Sequence, residues 1–209
     1  MAIAHDGWMR SMRAADVPLE YSTKDGDLKI TGFWIFLTTD LLLFACLFAT
    51  YAVLRGNTAG GPAGAQLFDI PGFTAETFAL LTSSFTCGLA THEMRRGNRT
   101  GLLAWLAVTI LLGLVFIGFE LDEFITYAMR GATMQRSGFL SAFFTLVGTH
   151  GSHVSLGILW MLTVAYQLVR RGITAVTARK LLIVGLYWHF LDIVWVFIFT
   201  VVYLMGVLR

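Results

Sequence analysis

Five stretches of this sequence are apolar over about 20 residues or more, the length a helix needs to cross a hydrocarbon layer about 30 Å thick. They run over Thr31–Leu54, Gly72–Met94, Gly101–Met129, Gly138–Val169 and Ala178–Val207. Lipid cannot satisfy exposed backbone N–H and C=O groups, so each stretch is predicted to be helical. The expected fold is all-α, a polytopic membrane bundle of five transmembrane helices. The third and fourth are long enough to tilt or to project beyond the bilayer. Composition excludes a soluble globule: 56% of residues are hydrophobic, 13% are charged, and mean hydropathy is +0.71. Soluble domains carry roughly 25% charged residues. A net charge of +2 is too small and too dispersed for a nucleic-acid surface, so no nucleic-acid partner is expected.

The placement of Lys and Arg predicts the topology. Most lie in the N-terminal tail, in the loop bearing Arg95, Arg96 and Arg99, and in the loop bearing Arg170, Arg171, Arg179 and Lys180, segments that share one side. The other side has only Arg55, Arg130, Arg136 and Arg209. Basic residues favour the cytoplasmic side, so the N-terminus is expected in the cytoplasm and the C-terminus on the periplasmic side of a bacterial inner membrane. The chain divides into a polar tail, 1–30, and a five-helix membrane domain, 31–209. The tail lacks the apolar core and cleavage site of a secretory signal. Between Arg55 and Pro71, Gly56, Gly60, Gly61, Pro62 and Gly64 suit turns and oppose further helix. Cys46 and Cys87 sit in apolar stretches without CxxC spacing, which suggests neither a disulfide nor a thiolate metal site.

Polar side chains are expensive at these depths, so each of Asp40, Glu76, Glu120, Asp122, Glu123, His150, His153, His189 and Asp192 is expected to face protein or water. Glu120 with Glu123, His150 with His153, and His189 with Asp192 are each spaced by three, which puts both members on one helical face. The favoured reading is a polar layer joining the helices, in which His189 and Asp192 bond directly or bridge, and the acidic face of the third helix receives an imidazole from the fourth. A metal centre is the sharper alternative, since imidazole and carboxylate are ligands of iron, copper and zinc. No Glu-x-x-His motif of the di-iron bundles is present, and haem ligation would need two histidines facing across the bundle. A proton path is the third option, with Asp40 roughly 14 Å into its helix at 1.5 Å per residue. Gly148, Gly151 and Gly157 in the fourth stretch allow a neighbouring backbone to approach closely.

Two motifs resemble a known family. The run GFLSAFFTLVGTHGSHVSLG, Gly138 to Gly157, resembles the His-Gly-x-His-Val signature of subunit III of the haem-copper oxidases. The run YWHFLDIVW, Tyr187 to Trp195, resembles the Trp-His-Phe-x-Asp-x-Val-Trp signature of that family's last helix. The first helix, GFWIFLTTDLLLF, is similar to the family helix with a buried acid, where Asp40 stands in place of the more common Glu, and Glu120 and Glu123 match the family's paired acids. Most cytochrome c oxidase members have seven helices. The shorter five-helix form, with the ATYAVL, NTAGGP and TVVYLMG stretches, resembles the branch found in ubiquinol oxidases of the cytochrome bo type.

The resemblance implies a subunit without catalytic, cofactor or metal sites of its own. It would belong to a complex that oxidises quinol, reduces oxygen to water and pumps protons. Haems and copper would be held by subunit I, the main contact, with subunits II and IV and phospholipids as further partners. Asp40, Glu120, Glu123, His150, His153, His189 and Asp192 would form the polar interior or line contacts to lipid and subunit I. The alternatives are a cytochrome c oxidase subunit III, a haem-binding electron carrier, and a proton-coupled transporter.

Overall fold

The computed structural model describes residues 18–22 and 26–208. Most of the expected tail, and Arg209, lie outside the described residues. Five long helices account for most of the rest: α1 Gly26–Leu54, α2 Ile70–Arg95, α3 Arg99–Met129, α4 Gly138–Arg171 and α5 Ala175–Ile198. A π-helical turn, Phe199–Leu204, extends α5 to Val207. No strand occurs among the described residues. The architecture is all-helical, as expected. By length and composition, α1, α3, α4 and the extended α5 qualify as membrane spans, making this a multi-pass membrane protein. Helix α2 has 26 residues but is more polar. Its Glu76, Thr77, Ser83 and Thr86 are buried against neighbouring helices, while Phe78, Leu81 and Phe85 are exposed.

Local chemistry sets most helix starts. The Asp69 carboxylate accepts from the Gly72 amide at 3.3 Å, with Pro71 in the first turn, so α2 opens at Ile70. The Asn98 side chain accepts from Gly101 N at 3.2 Å, and Ser137 Oγ from Leu140 N at 3.1 Å. Thr174 and Thr177 cap one another's backbone amides at 3.2 and 2.8 Å, which starts α5 at Ala175, ahead of the expected Ala178. Helix α1 starts at Gly26, ahead of the expected Thr31. The acidic side chain in its first turn, Asp27, suits the positive end of the helix dipole.

Helix α1 packs chiefly on α4 and α5, while α2 packs on α3 and α5. The order around the bundle is therefore α1, α4, α3, α2, α5, with α4 and α5 also in contact. The chain must cross the bundle end between α1 and α2, which explains the long connection. Where only turns were expected, that connection contains a short helix, Gly64–Leu67. Gly64 lies against Gly206, so close that a Cβ at Gly64 would sit 3.2 Å from the Gly206 carbonyl oxygen. This approach tucks Leu67 and Phe68 under the bundle end, where the Phe68 ring meets Tyr203 at 4.8 Å.

The interior is aromatic. Trp188, Trp195, Tyr51, Tyr203, Phe44 and Phe116 are among the largest fully buried side chains. Trp188 fits because Gly113 and Gly157 leave room: a Cβ at either would come within 2.9 or 3.1 Å of its ring. Close packing of this kind replaces the hydrophobic effect as the cohesive force between helices in lipid. Large apolar side chains such as Leu42, Val53, Phe85 and Leu111 face outward, at 63%, 82%, 67% and 61% exposure, inverting the soluble pattern.

Contacts distinguish the two ends. The Arg99 guanidinium donates to the Val169 carbonyl, and Glu20 pairs with Arg95 at 3.0 Å. The Arg95-Arg96-Arg99 loop, the C-terminal end of α4 and residues 18–22 therefore share one end. At the other, the Phe139 amide donates to the Asn57 carbonyl at 3.1 Å.

Candidate functional site: a buried polar layer

Asp40 on α1 is 8% exposed, and its Oδ2 lies 4.0 Å from His153 Nε2 on α4. The other ring nitrogen of His153 donates to the Thr149 carbonyl at 2.7 Å, so Nε2 is left facing the acid. The Tyr187 hydroxyl from α5 donates to the His153 carbonyl at 3.2 Å, bringing three helices to one point.

His150, one turn away, is wholly buried. Its ring packs against a contacting pair of aromatics, Phe116 at 5.7 Å and Trp195 at 5.2 Å, and Nε2 donates to the Leu191 carbonyl of α5 at 3.2 Å. Its Nδ1 has no partner among the described residues. The acid that an α4 imidazole approaches thus lies on α1, not on the third helix as expected. Glu120 on α3 instead lies against Gly151 of α4, its oxygens 2.3 Å from where a Cβ would stand.

Glu123 accepts from the Tyr127 hydroxyl at 2.5 Å and from the Tyr203 hydroxyl at 2.6 Å. The equal spacing of Glu120 and Glu123 therefore hides different surroundings. Glu76 on α2 is 2% exposed and lies within electrostatic reach of both. His189 and Asp192 approach to 3.7 Å, ion-pair range but beyond a hydrogen bond. The close partner of His189 Nδ1 is Ser84 of α2, at 2.8 Å.

The hydroxyls of α2 are what the sequence reading missed. Trp188 Nε1 donates to Ser83 Oγ at 3.0 Å, Trp195 Nε1 donates to Thr77 Oγ1 at 3.1 Å, and Thr86 bonds Thr109 of α3 at 2.8 Å. The recurrence of Ser and Thr along α2 was the available signal, since small hydroxyl residues bond across membrane helices. Among the described residues, no group of three or more His, Cys, Asp and Glu side chains is placed to hold a metal ion. The layer ties helices together through His150, Glu123, His189 and the two indoles, while Asp40 Oδ2, Glu76 Oε2, Glu120 Oε2 and both Asp192 oxygens accept no hydrogen bond from any described residue.

Comparison with known proteins agrees with this picture. The family model described as cytochrome c oxidase subunit III matches residues 8–207. The quinol oxidase subunit 3 of Bacillus spizizenii is 51% identical over 192 residues, covering 92% of this chain and 94% of the relative. The cytochrome bo(3) ubiquinol oxidase subunit 3 of Pseudomonas putida is 51% identical over 183 residues, 88% of each chain. Its counterpart in Pseudomonas aeruginosa is 50% identical over 189 residues, 90% of each. With the two signature runs on α4 and α5 at the centre of the polar layer, and with a match running nearly end to end, this chain belongs to the cytochrome c oxidase subunit III family.

Proposed function

We propose that this chain is the non-catalytic subunit III of a terminal quinol oxidase in a bacterial inner membrane. The complex oxidises quinol, reduces oxygen to water and pumps protons. Haems and copper reside in subunit I, which is the main contact, and subunits II and IV and phospholipids complete the surroundings. All five helices cross the bilayer, with the N-terminus cytoplasmic and the C-terminus periplasmic. For α2, about 39 Å long at 1.5 Å per residue, the inward-facing hydroxyls account for its lower apolarity. The observation that carries the reading is near full-length identity of about half to proteins named quinol oxidase subunit 3. It is supported by hydrogen bonds between helices from His150, Trp188, Trp195 and Tyr203, which brace the bundle.

Purification of the tagged chain in mild detergent tests this. A large multi-helix haem protein is expected to copurify, and the separated chain is expected to show no Soret band and no oxygen uptake. A monodisperse chain without partners, or a haem spectrum that stays with it alone, overturns the reading.

A further inference from the structure

At the end of the bundle bearing Asp69 and Arg130, α2 and α3 enclose a pocket of about 200 Å³. Asp69, Asp122, Glu76, Glu123, Tyr127 and Arg130 line it. Glu76 is the informative member. Its side chain is buried, and its Oε2 accepts no hydrogen bond from any described residue, yet it lines an open polar pocket. A buried carboxyl oxygen without a donor is costly, and water is the partner a polar space of this size admits. The carboxyl groups are not grouped to hold a metal ion.

We propose that this pocket is a hydrated vestibule through which Glu76 and Glu123 exchange protons with the aqueous phase at the Asp69–Arg130 end. The step is simple acid–base transfer: a carboxyl O–H gives its proton to pocket water, leaving a carboxylate and a hydronium ion that departs by the mouth, and uptake reverses it. The groups facing the two acids come from every element around them: Asp69 at the α2 cap, Glu120, Asp122, Tyr127 and Arg130 on α3, and Tyr203 beyond α5. The two tyrosine hydroxyls hold Glu123 in place, whereas Glu76 is bound by no such donor and is the freer of the pair. Asp40 and Asp192 do not line this pocket.

The test is carboxyl labelling of the intact complex in lipid nanodiscs, using a water-soluble carbodiimide with a small amine, read by peptide mass spectrometry. Label is expected on Glu76 and Glu123 as well as on Asp69 and Asp122 at the mouth, but not on Asp192. The Glu76 label should be lost in Glu76→Gln, which verifies the assignment, and in Thr126→Trp, which fills the pocket. Labelling of Asp69 and Asp122 without Glu76 overturns the proposal, and so does modification of Glu76 by a lipid-soluble carbodiimide alone. Persistence of the Glu76 label in a folded Thr126→Trp complex also overturns it. Copurification of partners reads the proposed function separately, so the two can fail independently.

Discussion

Gly151 lacks a side chain because the Glu120 carboxyl group occupies the space beside its backbone. Gly151→Ala is expected to destabilise the protein by about 1–3 kcal/mol, the range for overpacking a close contact. The check is the midpoint of denaturant unfolding in detergent, and an unchanged midpoint would contradict this contact. Gly88, which has open space around it, is the control, and Gly88→Ala should leave the midpoint essentially where it is. The tyrosine hydroxyls on Glu123 make a second case. Tyr203→Phe keeps the ring packing against Phe68 and Phe73 but removes one donor, so a loss of about 1 kcal/mol is expected in the same measurement. Both effects depend on neighbours supplied from far along the chain, which no single-residue property announces.

Between elements, three side-chain hydrogen bonds join α2 and α5. Two buried indole N–H groups reach hydroxyls on α2, and Ser84 meets His189 on the same seam. A double-mutant cycle with Trp188→Phe and Ser83→Ala should give a coupling of about 0.6 kcal/mol, the mean for hydrogen bonds between membrane helices, whose maximum is about 1.7 kcal/mol. Additive effects would show that the indole bond contributes nothing beyond packing. The seam also explains why a helix as polar as α2 is kept in the bundle. Its hydroxyls donate to carbonyls of their own helix, and their oxygens accept from the Trp188 and Trp195 indoles, whose N–H groups would be unsatisfied in lipid.

For the whole molecule, the two ends differ in basic charge. Arg95, Arg96 and Arg99 lie near Glu20 and the end of α4, while Asn57 and Phe139 mark the opposite end. With all five helices spanning, a cysteine placed at Gly97 and one placed at Asn57 should react with an impermeant thiol reagent from opposite sides of sealed vesicles. Reaction from the same side would sink the five-span topology. Helix existence and the membrane setting were legible in the sequence because hydrocarbon thickness and backbone hydrogen bonding act on each stretch separately. The ionisable residues of the spans stood out for the same reason: a carboxyl or imidazole there is costly and is expected to face protein or water. Their partners did not. Successive residues on a helix differ by about 100° in direction, so a small rotation of one helix against another exchanges every cross-helix pair. Thus the spacing of three located His150 beside His153, but only packing sent one ring to the Leu191 carbonyl and the other towards Asp40. Amino-acid order was enough to make the chain a helical membrane bundle with polar groups inside its spans. Only the packing settled which acids are held by donors, as Glu123 is, and which line a pocket without one, as Glu76 does, because that depends on how five rigid helices are rotated against each other.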